Sequence, residues 1–244
     1  MIRKLPFAFF VCIIFIGNCI PLIAQTQNYV QGATVTPDES ITSHTPAPYD
    51  GTETFIPGSS ITSGEWNLFL GAGAGSSVTQ ASHNVFLGAM AGAAFDYDAP
   101  FGSTDFADNV VIGAFAGDQM TGAFDNVFIG KFAARTATGS DNVAIGTDAA
   151  LSMTTGYDNT FVGEESGQET TTGYENVFIG EDAGYEVTTG YENTFVGHRA
   201  GSGTSSGNGT GYKNTGVGNV SLEDIREGHH NTAIGDSSAV DIGT

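Results

Sequence analysis

Residues 176–192 read NVFIGEDAGYEVTTGYE, and the opening five-residue pattern recurs throughout the second part of this 244-residue chain. The pattern is Asn, then a mostly β-branched residue, a variable residue, an aliphatic residue and Gly. It starts at Asn67, Asn84, Asn109, Asn126, Asn142, Asn159, Asn176, Asn193, Asn214 and Asn231. Seven of the nine intervals are 16 or 17 residues; the other two are 25, after Asn84, and 21, after Asn193. A fixed period decides the architecture before local propensity is consulted. Seventeen residues are too few for a helical hairpin, which needs about 30 and long faces of 3.6-residue period. They suffice for one turn of a parallel β-solenoid, in which each coil advances the chain by about 4.8 Å. The expected fold is therefore all-β, a solenoid of about ten coils forming a rod of about 48 Å.

Each column of the repeat has a physical reading. Position four is always aliphatic, from Leu70 to Ile234, and is read as the inward core column. Position eight is always Ala or Ser, as expected where the opposite wall of a narrow lumen comes close. Position five is Gly in every copy, consistent with a corner of positive φ or with close backbone approach. The Asn column is read as a structural ladder, in which amides of successive coils hydrogen-bond along the axis.

Position three runs through Phe69, Phe86, Val111, Phe128, Ala144, Phe161, Phe178, Phe195, Gly216 and Ala233. Alternation along a strand sends it to the face opposite positions two and four. Such swings in volume are hard to fit into a constant lumen, so the column is placed outside. Phe69, Phe86, Phe128, Phe161, Phe178 and Phe195 then form an apolar stripe that drives self-association, as a trimer interface. The opposite assignment, Phe inward and aliphatic outward, is the alternative.

The NVFIG, NVAIG and NTFVG runs, with Ala-Gly or Ala-Ala following, resemble the head repeats of trimeric autotransporter adhesins, the YadA-like head. The resemblance covers residues 67–244. It implies a left-handed parallel β-roll, a homotrimer, and display at a bacterial surface in association with the outer membrane. The repeats are also similar to those of secreted tail-fibre-like proteins, and their 17-residue turn is longer than is usual in the adhesin heads.

The rest of the chain sets the compartment and excludes partners. Residues 1–24 read as a secretory signal, with Arg3 and Lys4 ahead of an apolar stretch from Phe7 to Ile16. Both cysteines, Cys12 and Cys19, fall inside it, so the exported chain is expected to lack thiol chemistry. Residues 25–63, with Pro37, Pro46, Pro48 and Pro57 among many Ser and Thr, read as a linker or N-terminal cap, and residues 64–244 as the repeat domain. The tenth copy stops at Thr244 before the next Asn is due, which suggests a fragment or an end seated on a partner. With 27 acidic against 7 basic side chains, the formal charge of −20 argues against nucleic acid. No apolar run after the signal reaches the roughly 18 residues of a membrane span.

Candidate chemistry is sparse. Asp108, Asp125, Asp141, Asp158, Glu175 and Glu192 precede successive ladder Asn residues, and with Asp96, Asp98 and Asp105 they are calcium candidates, weighed against a merely solvated acidic face. Tyr157, Tyr174, Tyr191 and Tyr212 form a column that either stacks on sugars or on itself. His44, His83, His198, His229 and His230 show no metal spacing, and no nucleophile elbow or phosphate loop is present. No cofactor is expected. The functional expectation is a non-catalytic, secreted or surface adhesin-like rod that contacts a host protein or glycan. A structural spacer is the alternative, and ice binding through Thr171-Thr172 and Thr188-Thr189 a distant one.

Overall fold

The computed structural model describes the backbone of Ala33–Thr34 and Thr42–Ser43, which pair antiparallel, and residues 67–78, 81–95, 107–203 and 209–240. The expected signal and most of the expected linker lie outside the described residues. From Leu68–Leu70 to Thr232–Ile234, ten three-residue strands form one parallel sheet in strict chain order. Equivalent residues pair throughout: Thr160 with Val177, Phe161 with Phe178, Val162 with Ile179. The chain is thus an all-β solenoid whose sheet steps by one repeat at a time. Among the described residues there is no helix, and so none long and apolar enough to cross a membrane.

The Asn ladder forms as its column suggests. Asn176 Oδ1 accepts from the backbone N–H of Asn193 at 3.0 Å and from its Nδ2 at 3.1 Å. Asn176 Nδ2 donates to Asn159 Oδ1 at 3.1 Å and to the Gly190 carbonyl at 2.8 Å. The sequence of bonds repeats from Asn67 to Asn231, and the ladder side chains are buried except at Asn231. A buried amide keeps its stabilising contribution only while its donors and acceptor are all bonded, and stacking at one-coil spacing meets that demand.

The strand faces are the reverse of the expected assignment. Phe86, Phe128, Phe161, Phe178 and Phe195 are fully buried and Phe69 nearly so, whereas the position-four column is half-buried to exposed, with Ile179 40% and Ile234 73% accessible. The six phenylalanines are therefore the core of each coil and cannot form a trimer interface. The lumen is not constant, and another column compensates for position three. Coils with Phe at position three carry Gly at position nine in five of six cases: Gly75, Gly92, Gly167, Gly184 and Gly201. A Cβ on Gly167 would lie 2.9 Å from the Phe161 ring. Where position three is Gly216, position nine is Leu222; where it is Ala144, Ala150 and Met153 fill the space. Position twelve, which includes Val78, Phe95, Met120, Met153, Thr170 and Val187, completes the buried set. Phe161, Phe178 and Phe195 stack with centroids 4.9 and 5.2 Å apart.

Corners account for the remaining columns. Position-five glycines have φ of 126–147°, and a Cβ on Gly88 would come 2.5 Å from the Gly113 carbonyl oxygen of the next coil. Both reasons expected for that column hold. Position eight is buried from Ala74 to Ser221, as its small residues imply. In the longer repeat after Asn193 the chain rejoins the stack at Gly209, which bridges to Val187 of the preceding coil.

Candidate functional site

The outer surface carries its own ladders, because in-register coils stack exposed side chains as faithfully as buried ones. Tyr157, Tyr174, Tyr191, Tyr212 and His229 form a continuous ring stack with centroids 4.8–5.0 Å apart and interplanar angles of 3–7°. Ring faces are therefore occupied by neighbouring rings, and the row offers edges and hydroxyls to solvent. Stacking of sugars on ring faces is thereby confined to the ends of the row, at Tyr157 and His229. Burial, then the neighbouring Tyr191 and Tyr157, then Glu192 and Glu175, hold the Tyr174 hydroxyl above its ordinary pKa, so it stays a neutral donor.

The acidic column has a backbone cause. Asp108, Asp125, Asp141, Asp158, Glu175 and Glu192 all have φ between 45° and 60°, and so do Lys213 and His230 at the same place in later coils. Asp and His reach this left-handed region more readily than most side chains, which accounts for much of the column without a ligand. Burial and the flanking Asp141 and Asp108 raise the pKa of Asp125. Lys213 pairs with Glu192 at 3.6 Å and His83 lies 3.3 Å from Asp108, so both ends of the column carry a basic group.

A different group of potential cation ligands was hidden in the sequence. Glu181, Asp182 and His198 bring one ligand atom each within 4.8 Å of one another at an exposed corner. Glu181 and His198 share position six of adjacent coils, which is the signal that alignment by column would have given. Beside them Glu165, Asp182, Tyr185, Glu186, Arg199 and Ser202 line a groove of about 300 Å³. Burial and the nearby Asp182, Asp148 and Glu164 raise the pKa of Glu165. Arg199 is held by Glu223 at 2.5 Å. The groove carries three carboxylates, Glu165, Asp182 and Glu186, against the single Arg199.

The first threonine of each pair is turned to the backbone. Thr154, Thr171 and Thr188 donate their hydroxyls to the carbonyls of Thr171, Thr188 and Gly209 in the next coil. The second members, Thr155, Thr172 and Thr189, are exposed and share one column of the repeat. No family model, no curated protein and no solved structure matches the chain.

Proposed function

We propose that the chain is a non-catalytic exported rod that presents a repetitive surface for attachment, in the manner of an adhesin. What supports this reading is the outer stack from Tyr157 to His229, in which an aromatic edge recurs at five successive coils, with Asp158, Glu175, Glu192 and Lys213 directly after the four tyrosines. A surface that repeats one contact at about 4.8 Å intervals favours extended, repetitive partners, because weak contacts to one chain add up once the first is made. The carboxylates beside the rings select partners that are neutral or cationic.

A spacer role is the second reading, and the closure of the tyrosine faces against each other favours it. A screen of the repeat domain against immobilised glycans and matrix proteins separates the two. Attachment requires saturable binding that weakens when Tyr174 and Tyr191 are both changed to Ser. Binding to nothing on such a screen would leave only the spacer.

A further inference from the structure

The outward face of the ten-stranded sheet is built from positions two and four. Position four is aliphatic in all ten coils and position two is Leu, Val or Thr. None of these twenty side chains is charged, in a chain of formal charge −20. They are half-buried by neighbours in their own columns, and Leu68, Ile179, Thr232 and Ile234 are more open than that. Three-residue strands about 10 Å wide, stacked over about 48 Å, make a strip of roughly 480 Å².

One flank extends the strip. Met90, Phe115 and Phe132 occupy, at φ of 59–60°, the corner position held elsewhere by Gly73, Asp148, Glu165, Asp182, Arg199, Val220 and Ser237. That conformation is cheap for Gly and Asp and costly for bulky side chains, so their apolar groups stand there against local preference. Phe115 leans on Phe132 with centroids 5.4 Å apart, and Lys131 lies over the Phe132 ring at 4.8 Å. With its two flanking columns the face spans about 17 Å by 48 Å, roughly 800 Å², which is the area each partner contributes to a standard stable interface.

We infer that this face is covered by the same face of another copy of the chain. Two such faces have identical ridge spacing, so their side-chain columns interdigitate along the whole rod, whereas a partner of any other period falls out of step. Within the two sheet columns themselves, two strongly acidic chains meet without a carboxylate; the charges stand on the flanks. Lys131 supports the same occupant. Among the described residues, Arg135, Arg199, Lys213 and Arg226 each pair with a carboxylate, while Lys131 touches only an aromatic ring. It stands at position six, on the flank of the sheet. Pairing of parallel rods about a two-fold sets it against the acidic column that contains Asp125 and Asp141. Antiparallel rods set it against the flank that carries Glu164 and Glu181. Either direction supplies the missing carboxylate.

The inference is independent of what the rod attaches to. It is tested by light scattering and sedimentation of the full chain over about 1–100 micromolar. Self-association is expected, with at least about tenfold weakening in the Ile145→Glu/Val162→Glu variant, since a buried unpaired charge is strongly disfavoured. Circular dichroism and melting establish that the variant keeps its fold. Should it not, Ile145→Thr/Val162→Thr gives the same reading, because Thr160 and Thr194 already stand on this face. Lys131→Glu is expected to weaken association in the same direction. A monomer at all these concentrations overturns the inference, and so does an assembly that survives unchanged in a folded double variant.

Discussion

Replacing Asn176 by Ala removes one rung from the middle of the buried ladder, and the bonds it makes allow the cost to be worked out. The Asn193 backbone N–H and the Gly190 carbonyl both have Asn176 as their bonded partner, at 3.0 and 2.8 Å. Asn159 Oδ1 keeps the Asn176 backbone N–H, and Asn193 Nδ2 keeps the Gly211 carbonyl. Two buried polar groups are therefore orphaned, each costing about 1–3 kcal/mol, so the variant should lose about 2–6 kcal/mol. Asn231→Ala is the internal control. Asn231 is half-buried, and its side chain makes one ladder bond, to an Asn214 oxygen that retains the Asn231 backbone donor. Its loss should cost under about 1 kcal/mol. Asn176→Asp tests the chemistry further, since its carboxylate places a second acceptor against Asn159 Oδ1 and the Gly190 carbonyl. The folded state should raise that pKa above the unfolded value, so this variant should gain stability as pH falls through the carboxylate range. Guanidinium unfolding followed by circular dichroism reads all three. Equal, small losses for Asn176→Ala and Asn231→Ala would refute the claim that the ladder holds the coils together.

Phe178→Ala should cost about 3–5 kcal/mol by opening a cavity in the lumen, and Ile179→Ala under about 1 kcal/mol in the monomer; the reverse order in denaturant midpoints would restore the outward-Phe assignment. Ser221 Oγ is buried with no hydrogen-bond partner, at a position where seven coils carry Ala. Ser221→Ala should therefore be neutral or stabilise by up to about 1 kcal/mol, and clear destabilisation on melting would mean that the hydroxyl has a partner. Because Asp125 and Glu165 have raised pKa values in the folded chain, the native state binds more protons than the unfolded state through the carboxylate range. Melting temperature should rise as pH falls from 7 through that range, and added salt at pH 7 should raise it too by screening the acidic columns; a fall on mild acidification contradicts this.

Much of this fold is legible in the recurrence alone. The Asn column, the invariant Gly and the small eighth residue each state a local requirement that one sequence satisfies ten times, so the register follows directly. Which side of the strand faces inward was not legible from position three by itself. The size of Phe161 is matched by the absent side chain of Gly167, and the absence of one at Gly216 by Leu222, six residues later and across a corner. Such compensation appears only when two columns are compared coil by coil. The acidic column was ambiguous for a related reason. Asp125 and Asp141 recur because the backbone there turns left-handed, a conformational demand that from sequence alone looks like a ligand set. The Glu181, Asp182 and His198 group lay in plain columns but joined two adjacent coils, a relation that the linear order conceals.

The bonds of each rung reach only the adjoining coil. Adding or deleting a whole unit from the interior would therefore leave every remaining amide with equivalent neighbours, and the total extent is free to vary in steps of about 4.8 Å. Slippage between near-identical copies during replication would then change span without disturbing chemistry. A molecule built this way behaves as a graduated ruler, whose reach can be retuned by counting units rather than by redesigning any of them.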